Sequence, residues 1–226
     1  MRKLCFLMLF LFCGAVLATP TLHWAGLGSG IGGYYDNPSS SGAGYGEVYP
    51  YGNWACEIVF DTVYDLAGYA DGSELVTFCL EWNEDLIGEN DFTAEINTGA
   101  ISGGQDGTGF DALDDETAWI YDQYLAGNTF GISDIDRRAA VVQEAIWSIE
   151  GELDSSWSLY NETSGVISLA SDAVNSGWVN EEIRVLNTYW SDGSQGKDVL
   201  VKIPEPATLA LLGIGGLSLV MRKKRA

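Results

Sequence analysis

Histidine is nearly absent from this chain of 226 residues: the one present, His23, lies close to the N terminus. A Ser-His-Asp or Cys-His hydrolytic apparatus would need that residue folded back across the domain from a segment expected to be mobile. Cysteine is also sparse, at Cys5, Cys13, Cys56 and Cys79. Cys5 and Cys13 belong to the N-terminal apolar run, and Cys56 and Cys79 with one distant histidine make a poor tetrahedral ligand set, so zinc is not expected, nor is any other cofactor. Basic residues number 11 against 32 acidic ones, a formal charge of −21. A surface of that sign repels nucleic acid and anionic lipid, so neither is an expected partner. What the chain has in quantity is apolar and aromatic surface: 46% hydrophobic residues and eight tryptophans argue against disorder.

Both ends carry targeting patterns. Arg2 and Lys3 precede an apolar run from Leu4 to Leu17, and Val16-Leu17-Ala18 supplies small residues where a signal peptidase reads. Residues 1–18 are therefore expected to leave as a signal peptide, taking Cys5 and Cys13 with them. At the other end Pro204-Glu205-Pro206 is followed by the apolar segment Ala207 to Val220 and a basic close, Arg222-Lys223-Lys224-Arg225. The prolines keep the motif out of a helix, the apolar segment is expected to be a transmembrane segment, though short against the roughly 20 residues of a comfortable crossing, and the cations hold their end on the cytoplasmic side. This order of pieces over residues 204–226 resembles the PEP-CTERM sorting signal of Gram-negative bacteria. The resemblance implies handling by an exosortase, a transient stay in the inner membrane, and delivery to the cell surface or extracellular matrix. Between the two ends, residues 19–203 make one domain by length. It keeps only Arg137, Arg138, Arg184, Lys197 and Lys202 against 31 acidic residues, a formal charge of −26.

Within that domain, Cys56–Tyr64 and Ser73–Trp82 are rich in β-branched and aromatic residues and read as strands. Ala25–Gly52 reads as Gly-, Ser- and Tyr-rich loop with an edge strand at most, and 83–110 as a polar loop or irregular hairpin. Gly28, Gly30 and Gly33 match a dinucleotide fingerprint in spacing only, lacking the flanking strand and helix. Helical spacing begins at Asp114 and stops at Gly127. It returns after Ser133 or Asp134, with Ile135, Ala139, Val142, Ile146 and Ile149 on one face up to Gly151, and again from Ser164 to Asn175. Glu182–Trp190 and Lys197–Ile203 revert to strand character. The expected fold is α+β: a mainly antiparallel sheet or sandwich with a helical insert of two to three helices.

Two segments carry chemistry. Phe78-Cys79-Leu80-Glu81 ends a predicted strand, and Val142-Gln143-Glu144-Ala145-Ile146-Trp147 lies on the second predicted helix. Together they resemble the paired signatures of bacterial thioester domains. The resemblance implies that the Cys79 thiol and the Gln143 carboxamide condense, losing ammonia, to an internal thioester. Such a bond is an electrophile for an amine or hydroxyl on an extracellular surface, a single-use adhesion device and not an enzyme. Phe78, Ile146 and Trp147 would exclude water, and Glu81 and Glu144 are candidates for proton transfer if burial raises their pKa. A secreted hydrolase would need a carboxylate pair such as these two glutamates, and no carboxylate spacing in the chain is diagnostic of one. The alternative is a passive biofilm or matrix protein stapled by a Cys56–Cys79 disulfide, a bond incompatible with the thioester. Asp106 and Asp111 are weak calcium candidates, in a spacing unlike an EF-hand.

Overall fold

Alternation of apolar and polar residues, broken by turns, folds this chain into eight strands and three helices among the residues described by a computed structural model, 18–26, 55–82, 91–101, 109–153 and 161–204. In chain order they are β1 (Thr21–Gly26), β2 (Ile58–Tyr64), β3 (Ser73–Thr77), β4 (Asp91–Asn97), β5 (Gly99–Ala100), β6 (Asp111–Ala112), α1 (Asp115–Leu125), α2 (Ile135–Ile149), α3 (Asn161–Asn175), β7 (Ile183–Tyr189) and β8 (Gln195–Lys202). Six strands form an antiparallel sheet in the order β3-β2-β1-β4-β7-β8, and β5 pairs with β6 in a small ribbon. The architecture is the expected α+β one.

The sheet curls until its two ends meet. Just beyond β3, Leu80 N donates to Asp198 O (2.9 Å), Leu200 N donates to Phe78 O (3.0 Å), and the Thr77 hydroxyl donates to Leu200 O (2.5 Å). Cys79 thereby faces Val199 in an antiparallel bridge. Inside the curl Phe60 meets Phe92 edge to face at 6.2 Å, and Phe92 lies against Trp190 at 4.8 Å. Burial shows which part of the ring is covered from outside. β4 alternates, with Phe92 and Ala94 buried and Asp91, Thr93 and Glu95 exposed, so its outer face meets water. In β7 and β8, Val185–Thr188 and Asp198–Val201 are buried without alternation, because the three helices pack on one another and α1 contacts β7.

Three expectations are corrected. The stretch 83–110 holds β4, an inner strand paired to β1 and β7. Its acidic residues read as loop polarity but are the solvent face of a strand whose other face carries Phe92 and Ala94. Likewise His23 is not on a mobile end: β1 is paired on both sides, and His23 Nδ1 lies 2.7 Å from Asp91 Oδ1 at the surface. The predicted strand Ser73–Trp82 also ends its regular ladder at Thr77. Helix boundaries agree more closely. Asp134 caps α2 by accepting from Arg137 N at 2.9 Å, and Gly151 follows it with φ +78°. α2 is more deeply set than an amphipathic helix: all nine residues from Ala139 to Trp147 are buried, whereas Ile135 of the predicted face is exposed. Residues 1–17 of the expected signal peptide, the glycine-rich stretch 27–54, Asp106, and the tail from Glu205 onward lie outside the described residues.

Candidate functional site

The point where the sheet closes is also where Cys79 and Gln143 meet. Because Leu80 and Phe78 exchange the hydrogen bonds with β8, Cys79 occupies a non-hydrogen-bonded position opposite Val199. Its own N–H and C=O point away from β8, towards the side where β2 lies, and need other partners. The β2–β3 ladder ends at Ile58↔Thr77, a register that would set Cys56 opposite Cys79 two residues further on. Gln143 supplies the missing partners. Cys79 N donates to Gln143 Oε1 (3.0 Å), and Gln143 Nε2 donates to Cys79 O (2.8 Å). A side-chain carboxamide from α2 thus pairs with the cysteine as a peptide group of a neighbouring strand would. The thiol donates to the same Oε1, with Sγ 3.4 Å away.

The pair is dry. Gln143 has no exposed surface and Cys79 is 3% exposed. Phe78, Ile146 and Trp147 are buried with them, and Phe78 is held edge to face by Tyr121 (6.4 Å) and Tyr124 (5.0 Å) of α1. Low polarity strengthens the three contacts and slows hydrolysis of any acyl group formed there.

Two further residues stand in the wall: Cys56, expected only as the partner of a Cys79 disulfide, and Glu57, which had no role in the sequence reading. Cys56 is buried, and burial first, then the nearby Cys79 and Glu57, push its thiol up to about 12 against a smaller opposing pull from Lys197. Glu57 is buried too, and Oε1 of its carboxylate accepts a very short hydrogen bond from the Tyr124 hydroxyl. Burial raises the Glu57 pKa, opposed by that bond and by Arg138, whose guanidinium lies 5.6 Å from the Tyr124 ring centroid. A charged residue inside a strand-like apolar run was the available signal for Glu57.

The other expected participants are placed differently. Glu144 follows Gln143 but turns to α3, where its Oε2 accepts a very short bond from the Thr163 hydroxyl. Glu81 is buried, 2% exposed. Asp111 is exposed on β6, and among the described residues no group of three or more His, Cys, Asp or Glu side chains is arranged to hold a metal ion.

Near that ribbon, burial first, then the charges of Asp114 and Asp111, raise Glu150 to about 8 against hydrogen bonds that favour its ionised form. The folded state holds this proton more tightly than the unfolded chain. Glu150 therefore stabilises the fold below about pH 4.5, and this contribution is lost as pH rises through about 8. Glu150→Gln is expected to raise stability at pH 9 by on the order of 1–3 kcal/mol and to change little at pH 4, as read from chemical denaturation at the two pH values. Equal effects at both would contradict the assignment.

The C-terminal end of β8 settles the destination of the chain. Residues 202–225 match the PEP-CTERM protein-sorting motif. The motif marks the protein for export and for sorting towards the cell surface by exosortase-type machinery. Its first residue, Lys202, is the last residue of β8, so motif and fold overlap. No curated protein and no solved structure matches the chain. Among the described residues no helix is long and apolar enough to cross a membrane, and Ala207–Val220, the segment expected to do so, lies outside them.

Proposed function

We propose that this surface-sorted protein forms an internal Cys79–Gln143 thioester and uses it once, to bond covalently to an amine or hydroxyl outside the cell. The observation that carries the reading is the threefold contact of one buried carboxamide with one cysteine. Sγ adds to Cδ of Gln143 while the Cys79 N–H, 3.0 Å from Oε1, stabilises the negative charge developing on that oxygen. The S–Cδ bond forms, the Cδ–Nε2 bond breaks, and the thiol proton leaves with the amide nitrogen as ammonia. Holding the two groups in this geometry replaces a bimolecular encounter, an effect worth roughly 7–11 kcal/mol of barrier. An incoming amine then attacks Cδ, a C–N bond replaces the C–S bond, and the thiol is regenerated. Cys56 is the closest competing nucleophile suggested by the register, and a thiol at about 12 stays protonated beside the acyl group.

A second reading, the passive matrix protein with a Cys56–Cys79 disulfide, is favoured by the same register, which extends to place those residues across from each other. Both sulfurs are thiols in this structure, and oxidation runs through a thiolate that Cys56 yields poorly. Intact mass of the exported domain separates the readings: about 17 Da below the sequence mass for a thioester and about 2 Da for a disulfide. Methylamine is expected to abolish the larger deficit and label Gln143. A deficit of about 2 Da that reductant removes would establish the second reading instead.

A further inference from the structure

The sorting motif is not separated from the domain by a linker. Ile203 N donates to Glu182 O at 2.7 Å, carrying main-chain order one residue past β8. The Lys202 ammonium is held by Asp122 of α1 (2.7 Å) and by Glu182 (3.2 Å). The Lys202 backbone also hydrogen-bonds the Tyr69 hydroxyl, from the turn between β2 and β3. Pro204, the first residue of Pro204-Glu205-Pro206, lies against the neighbouring Gly68 of that turn. A methyl group on Gly68 would overlap Cδ of the proline ring and lie 3.0 Å from its Cγ. Gly68 has φ +86°, closing the turn through a hydrogen bond from Tyr69 N to Leu66 O (3.0 Å). This seat is built from parts distant in sequence: a turn, a helix and the end of the last strand.

We propose that Gly68 and Tyr69 are positioning residues for sorting: they seat Pro204 on the folded domain, and the motif is processed only when the end of β8 lifts from that seat. A processing enzyme must surround an extended peptide on both flanks of the motif, and one flank of Pro204 is already covered by its own domain. Processing of the folded chain therefore runs through a local opening whose population the seat sets. The seat involves neither Cys79 nor Gln143, so it stands apart from the thioester reading.

Pulse-chase of the full chain in a Gram-negative host carrying an exosortase, following loss of the C-terminal tail, tests this. Gly68→Ala is expected to speed processing about tenfold by crowding Pro204 off the seat. Asp122→Asn combined with Glu182→Gln, which frees Lys202 without touching the turn, is expected to speed it about threefold. A flexible Gly-Ser insertion of about four residues between Ile203 and Pro204 should match the faster rate. In that background Gly68→Ala should change processing no further, although it still lowers the melting temperature. Unchanged or slower processing in Gly68→Ala and in the Asp122/Glu182 variant would overturn the proposal. So would an effect of Gly68→Ala that persists undiminished with the insertion, since that is what simple destabilisation produces.

Discussion

Gln143→Ala is expected to abolish labelling by methylamine and to lower the melting temperature by about 5–15 °C. Under the thioester reading, the chemical effect follows from the loss of the carboxamide carbon that Cys79 would attack: no thioester would form, and no mass deficit of about 17 Da would appear. The effect on stability has a separate origin. Removing the carboxamide leaves the buried N–H and C=O of Cys79 without the two bonds, of 3.0 and 2.8 Å, that now satisfy them. Two stranded backbone groups cost about 2–4 kcal/mol together. Gln143→Glu separates the two effects, because it keeps an acceptor for Cys79 N–H and the side-chain shape but offers no amide to displace. It should fold better than Gln143→Ala and label no better. Methylamine incorporation that survives in either variant would end the thioester reading.

Phe78→Ala is expected to lower stability by about 3–5 kcal/mol and, under the thioester reading, to shorten the lifetime of that bond sharply. The ring is fully buried and clasped by Tyr121 and Tyr124, so its loss leaves a cavity beside the reacting atoms. Water admitted there meets the acyl carbon. Phe78→Leu, costing about 1.5 kcal/mol or less, keeps the domain folded while removing the edge-to-face contacts. The half-life of the mass deficit in buffer gives the answer. A half-life unchanged in both variants would show that other groups keep the site dry.

Much of the fold was legible because its signals are local. The periods of α1 and α2, the cap of α2 at Asp134, and the β-branched runs of β2, β7 and β8 declare themselves within a dozen residues, whereas Asp114 precedes α1 without a side-chain capping bond. β4 was hidden by composition: Asp91, Glu95 and Asn97 looked like loop, although Phe92, Ala94 and Ile96 alternate as a strand requires. Cys79 and Gln143 were found through the resemblance of their flanking segments. What orients them was not legible, since the register that turns the Cys79 backbone away from β8 depends on Val199, far along the chain. Sequence adjacency misled for Glu144, because successive helical residues point about 100° apart and its carboxylate meets α3. Glu57 escaped for the converse reason: a charge just before an apolar strand reads as a surface position, and only the fold brings Tyr124 over it.

The closure of the sheet by β8 also determines when the site comes into being. The Thr77–Leu200 bond spans 123 residues, whereas Cys79 and Gln143 are 64 apart. The ring that fixes Cys79 in position is thus completed by the last of the described strands to be synthesised and to cross the membrane. Closing so long a loop is among the slowest steps in folding such a chain, and a partly threaded chain has not made it. Under the thioester reading, the delay keeps Cys79 unreactive in the cytoplasm, among small amines and thiols, and arms it after the whole domain has emerged.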